Sequence, residues 1–236
     1  DSKPELQGLS DEVDLMIGAI RETDHQLAED KRATVEELVQ LAALEEHRGA
    51  VSLLAKWADE SNSPTAVAWN KQAAGQGDPE SMARLGIYYS VGKHVEPSAP
   101  EAVKWFGEAA EQGQVDALYY LGECYLFGKG VEEDTTKGVD YLRQAREQGD
   151  AKASDTLATC YAQGKGVERD LSQAREFYEE AIERGNPASF AKLGATYMVG
   201  GDQSEPEKAY TLFLKGADVG DPGAMAFTAV CLELGR

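Results

Sequence analysis

Five stretches of this chain fall into register: GDPESMARLGIYYSVGKHV (77–95), GQVDALYYLGECYLFGKGV (113–131), GDAKASDTLATCYAQGKGV (149–167), GNPASFAKLGATYMVGGD (185–202) and GDPGAMAFTAVCLELG (220–235). Their leading glycines are Gly77, Gly113, Gly149, Gly185 and Gly220, so the spacing is 36 residues three times and then 35. Self-similarity at a fixed period of this size marks stacked supersecondary units, none of which can bury its apolar face alone. Such a stack is a surface for holding something, so the period points to binding before catalysis.

Each repeat reads as helix, loop, helix. In the stretch from Gly113, the residues Ala117, Leu118, Leu121, Gly122, Tyr125 and Leu126 follow helical spacing, and the pattern stops at Gly128-Lys129-Gly130. Asp134 or Thr135 then caps a second helix carrying Val139, Tyr141, Leu142 and Ala145 before Gly149. The next helix follows at once, which predicts antiparallel packing through short connections. Small residues recur at one place in the first helices, as Gly86, Gly122, Ala158 and Gly194. A glycine inside a helix costs about 1 kcal/mol relative to alanine, so its recurrence predicts a second helix passing too close for a side chain. The large residues expected opposite are Trp69, Trp105, Tyr141, Phe177 and Leu212, each eight positions before a leading glycine and read as core.

From Ala102 to Val131 the pattern AxxWFxxAAEQGxxxAxxxLGxxYxxGxGV resembles the Sel1-like repeat, a relative of the tetratricopeptide repeat, and the likeness extends over roughly residues 64–236. Gly92-Lys93-His94-Val95 and Gly200-Gly201-Asp202 depart from its GxGV loop. The resemblance implies an all-α, right-handed superhelical solenoid of stacked antiparallel helix hairpins. After Gly220 only a first helix remains, so either a closing helix is missing or this helix serves as the cap. The N-terminal third is further from the pattern. Residues 10–29 make an amphipathic helix with Ser10 as N-cap, and Thr34 with Glu37 marks a second helix to about Glu46. Gly49 to Trp69 mimics a repeat in shortened form. Residues 1–62 therefore read as capping helices plus a degenerate repeat, and 63–236 as the repeat array; a separate interaction domain is the alternative for the first segment.

The net charge is −19, spread along the chain. A field of that sign repels phosphate backbones and anionic lipid, which disfavours nucleic acid and membrane surfaces and steers in a basic protein or peptide. No apolar run is long enough to span a membrane. The chain opens at Asp1 without an initiator Met, which suits a removed secretory signal or a trimmed chain. The oligomeric state is not set by any of these features. Cys124, Cys160 and Cys231 each lie 11 residues beyond a leading glycine. Equivalent positions in stacked repeats lie roughly 8–10 Å apart, beyond the ~7 Å that a disulfide allows. Free, mostly buried thiols are expected, and no metal site, because no histidine recurs near them.

No GxSxG elbow, GxxxxGK[ST] loop or HExxH is present, and the three histidines are scattered at 25, 47 and 94. The Gly-Lys-Gly turns follow helices rather than strands, so they are not nucleotide fingerprints. The expectation is a protein that is not an enzyme and needs no cofactor. If the tetratricopeptide arrangement transfers, first helices line the concave face, and a cluster with aromatic anchors ringed by polar groups stands out there. Its members are Tyr119, Tyr120, Leu126, Phe127, Glu123 and Asp116 from one repeat, Asp155 and Gln163 from the next, and Ile87 from the one before. The reading is a protein–protein interaction scaffold, and the resemblance to Sel1-like repeat proteins implies a bacterial, envelope-associated one (periplasmic or secreted, with the cytoplasm left open). The alternative that the same resemblance implies is an immunity protein that neutralises a co-encoded secreted toxic enzyme, such as a phospholipase effector, by tight binding and active-site occlusion.

Overall fold

A computed structural model describes residues 48–199 and 205–233; the helices expected over 10–29 and from Thr34 to Glu46 lie outside the described residues. Among the described residues there are helices and no strands. They divide between two compact units. In the first, α1 (Arg48–Glu60), α2 (Ala66–Gly75), α3 (Pro79–Val91) and α4 (Ala99–Glu111) pack each against the next. The second unit begins at Val115 and holds α5 (Val115–Phe127), α6 (Thr135–Glu147), α7 (Ala151–Gln163), α8 (Leu171–Glu183), α9 (Ser189–Met198), α10 (Pro206–Asp218) and α11 (Pro222–Glu233). Each unit is a stack of antiparallel helix hairpins, the all-α class expected from the period. The division expected between residues 62 and 63 falls within the turn joining α1 to α2, which form one hairpin.

The turn between hairpins explains the repeated Gly-Asp. All five leading glycines have left-handed φ, from 78° to 93°, a conformation that a Cβ disfavours. The residue after each one closes the preceding helix: the N–H of Asp78 donates to the carbonyl of Ala73, and that of Asp150 to Ala145. This is the Schellman closure. The same aspartates start the next helix. The Asp78 carboxylate accepts from the Ser81 N–H at 2.8 Å, and that of Asp221 accepts from Ala224 at 3.1 Å. One side chain thus satisfies orphan donors immediately after its own backbone has ended a helix.

Inside each hairpin the small residue of the first helix does face a large one, but the register differs from the sequence expectation by one residue. A Cβ on Gly86 would lie 2.4 Å from the Phe106 ring, one on Gly194 2.4 Å from Phe213, and one on Gly122 2.8 Å from Leu142. Phe106, Leu142, Tyr178 and Phe213 are the buried residues. Trp69, Trp105, Tyr141, Phe177 and Leu212, read as core, are half-buried. With 3.6 residues per turn, one position is a rotation of about 100°, enough to move a side chain from the seam to its flank. The flank has its own packing: Tyr141 stacks on Tyr125 and Phe177 meets Tyr161 edge-on. In α11, Phe227 stacks on Phe213 of α10 with ring centroids 4.8 Å apart, while Met225, Val230 and Leu232 are exposed.

Cys124 and Cys160 are buried and Cys231 half-buried, all as free thiols. Burial pushes the Cys124 and Cys160 thiols up to about 11, so both remain protonated at neutral pH.

The seam contact predicts opposite outcomes for two glycines of neighbouring helices. Gly86→Ala forces its Cβ into the Phe106 ring and is expected to destabilise by about 1–3 kcal/mol. Gly107→Ala, in α4 with nothing within 4 Å of its Cβ position, is expected to be neutral or to stabilise by up to about 1 kcal/mol. Urea unfolding of the two variants checks this; equal shifts would refute the seam assignment.

Candidate functional site

Along α5 the positions Asp116, Tyr119 or Tyr120, Glu123 and Phe127 are spaced three or four residues apart, which places them in one stripe of the helix. Buried positions Ala117, Leu118, Leu121 and Leu126 hold the opposite side of α5 in the core. The stripe therefore exists because the inward face is filled by others. Asp116 is exposed in the first turn, where a carboxylate suits the positive end of the helix dipole. Tyr119 and Tyr120 are half-buried, with ring centroids 5.2 Å apart at 63°, an edge-to-face pair. Phe127 is 48% exposed at the end of the stripe.

Burial, and then the negative charge of Glu123, push the Tyr119 phenol up to about 12; a hydrogen bond with Thr156 opposes them. The phenol is thus a neutral hydrogen-bonding group throughout the physiological range. Three lysines approach the rings. Lys152 Nζ lies 5.9 Å from the Tyr119 centroid, while Lys165 and Lys129 lie 4.4 and 5.2 Å from that of Phe127. Each such contact is worth about 0.5–1 kcal/mol at an exposed ring. Lys165 is further placed by Glu133, 3.6 Å away. The surface is consequently aromatic with charges of both signs, not the acid-ringed patch expected from Asp116, Glu123 and Asp155.

Asp155 accounts for part of that difference. It is 7% exposed and faces α9, where its carboxylate accepts from Ser189 Oγ at 2.7 Å and pairs with Lys192 Nζ at 2.5 Å. A first-helix carboxylate committed to the next first helix holds the stack together and is not open to a partner. Gln163 is exposed at the end of α7. Ile87 is half-buried on α3 and belongs to the first unit. Tyr119, Tyr120, Glu123 and Phe127 are brought together; Asp155 is not among them.

Sequence reasoning missed Lys129, Lys152, Lys165 and Thr156. A signal for two of them was present, since Lys129 and Lys165 occupy the same place in successive Gly-Lys-Gly turns. The recurring tyrosines also take cations as partners. Lys137 donates to Tyr125 Oη at 2.8 Å, Arg143 to Tyr161 Oη at 3.1 Å and Lys208 to Tyr197 Oη at 2.6 Å. These tyrosines tie hairpin to hairpin or helix to helix. Among the described residues no three His, Cys, Asp or Glu gather as metal ligands, and no helix is long and apolar enough to cross a membrane.

Tyr119 and Tyr178, the latter also held near 12 by burial, are expected to titrate well above the ordinary phenol value when followed by carbon NMR of the labelled rings. Glu123→Gln removes a charge that opposes phenolate formation, so the Tyr119 midpoint should fall while that of Tyr178 stays. Equal movement of both, or none, would show that Glu123 does not face Tyr119.

Comparison with known proteins adds the following. The family model described as Sel1 repeat matches residues 79–114, 115–150, 157–186 and 191–221. The chain is similar to a Sel1 repeat protein from Oxalobacter formigenes, at 30% identity over 77% of this chain and 75% of that one, with a TM-score of 0.72. It is also similar to a protective antigen of uropathogenic Escherichia coli with an SLR fold: 25% identity, 86% of this chain, 52% of that chain, TM-score 0.57. An immunity protein from Pseudomonas aeruginosa shares the fold at 19% identity, covering 92% of this chain and 82% of that one, with a TM-score of 0.52. No curated protein matches the sequence.

Proposed function

The chain belongs to the Sel1 repeat family, whose members are typically protein-interaction scaffolds, and from that premise we propose that it is a non-catalytic adaptor holding a protein or peptide on the α5–α7 surface of its second unit. The observation that carries the reading is the half-exposed Phe127 ring, flanked by Lys129 and Lys165 and continuous along α5 with Glu123 and the Tyr119–Tyr120 pair. Large aromatic anchors beside charges of both signs suit a peptide that brings an apolar side chain to Phe127 and polar groups to the rim. We place the protein in the bacterial envelope, periplasmic or secreted; the bacterial sources of the similar structures support the first half of that placement.

The net charge of −19 favours one second reading, an immunity protein that neutralises a secreted toxic enzyme by covering its active site. Long-range steering of a basic enzyme would make association fast and strongly salt-dependent, whereas an adaptor working through the locally mixed α5–α7 surface would be less so.

The experiment is a capture from the native lysate with the wild type beside a Tyr119→Ala/Phe127→Ala variant, followed by calorimetry with the captured partner. Phe127 is half-exposed and Tyr119 half-buried, so the variant is expected to lose no more than about 1–2 kcal/mol of stability. Loss of an anchor is expected to weaken binding by about 2 kcal/mol or more, roughly thirtyfold. Unchanged affinity in the folded variant would remove the partner from this surface. Failure to capture any protein stoichiometrically would count against the adaptor reading itself.

A further inference from the structure

From Pro222 to Glu233, α11 carries one charged residue, Glu233 at its end. The other first helices place charge nearer the middle, as Arg84 in α3, Glu123 in α5, Asp155 in α7 and Lys192 in α9. On α11, Met225, Phe227, Val230 and Leu232 are 48%, 44%, 49% and 64% exposed. A helix that is apolar all round is ordinarily buried on every side. Leu214 of α10, 40% exposed, extends the patch. Its place, six before the leading glycine, is that of Lys71 and Arg143, which reach Tyr89 and Tyr161 of the next first helix. In α11 the counterpart of those tyrosines is Leu232, so a cation–tyrosine pair has become two leucines.

In the other hairpins this face of a first helix meets a second helix. Five residues beyond the leading glycine, Met82, Leu118 and Ser154 are 7%, 2% and 0% exposed. Gln112 and Arg184, at the ends of α4 and α8, bond to Met82 and Ser154. Met225 holds that place in α11. Nine residues beyond, where Gly86, Gly122 and Gly194 lie against a large side chain, α11 has an exposed Ala229. The face therefore has the form that takes a helix at close range, and it offers no ion for recognition. We propose that its occupant is α11 of a second copy of this chain, set antiparallel about a two-fold axis. That arrangement puts Ala226 opposite Ala229 of the second copy and Met225 opposite its Val230, so the same stripe supplies both sides of the contact. Charge favours this face for self-association: copies of net charge −19 repel one another, and the repulsion is least where exposed side chains are uncharged. The five large side chains expose several hundred Å² of apolar surface, a size that marks an interaction site. Doubled by the two-fold, with Pro222, Ala226 and Ala229 added, the buried area comes to roughly the 1,200 Å² at the lower end of specific interfaces, which makes the dimer a weak one. The inference does not rest on the α5–α7 reading.

The test is sedimentation of the full chain across the micromolar range, where a monomer–dimer equilibrium is expected. Ala229→Glu and Ala229→Lys each bring a charge to the centre of the stripe, and each is expected to raise the dissociation constant at least tenfold. Ala229 is exposed, so both variants should melt with the wild type when it is dilute enough to be monomeric. Using both signs separates a buried apolar contact from mere repulsion, since the added lysine makes the chain less negative. Salt screens the repulsion between two negative chains, so the dimer is expected to tighten severalfold as ionic strength rises. The proposal is overturned by a monomer throughout the range, by a dimer that both variants leave intact, or by one that loosens as salt is added. It is overturned equally by a monomer whose α11 captures a different protein and loses it with Ala229→Glu.

Discussion

The contact between a residue without a side chain and a ring or branched chain pressed against its backbone is what the rest of this structure depends on. In the hairpin of α3 and α4 it is Gly86 under Phe106; in that of α5 and α6, Gly122 under Leu142; in that of α9 and α10, Gly194 under Phe213. The close approach lets the two helices of a hairpin share one buried seam with few voids. It also sets the outward faces. Once the seam takes one position per turn, its neighbours turn to the flank, where half-buried aromatics meet each other and the next hairpin.

Polar groups then do most of the work between hairpins. Aspartates of the Gly-Asp turns end one helix and cap the next, and the Asp155 carboxylate ties α7 to Ser189 and Lys192 of α9. Glu180 holds Arg146 and Arg184 in the same way. Partly exposed ion pairs of this kind are individually weak. Their repetition instead constrains which hairpin face meets which. In a chain of net charge −19, the lysines that come to lie over Tyr119 and Phe127 make the α5–α7 surface locally balanced, so the binding proposed there would rest on shape and aromatic area more than on overall charge.

Two places depart from the repeat. At Phe127 a bulky ring stands at a position held by Val91, Gln163 and Val199 in the other first helices. At Asn70 an amide stands where the others bury large apolar groups. A repeat that keeps its period over many turns fixes the backbone, so local exceptions carry the chemistry that distinguishes one array from another.

The sequence by itself determined the hairpin period, the helix limits at the Gly-Asp turns, the free thiols and the small-residue slots. Each of these follows from local rules: left-handed glycines, side-chain caps and helical spacing act within a few residues. It also picked out Tyr119, Tyr120, Glu123 and Phe127 as neighbours, because a single helix spaces them. Only the tertiary structure decided that Phe106, not Trp105, fills the seam, since one residue of rotation depends on how two helices meet. Only it turned Asp155 inward, through Ser189 and Lys192 more than thirty residues away. The lysines over the aromatic rings and the pairing of buried Asn70 with Asp59 were decided there too, because both arise between side chains that periodicity does not relate.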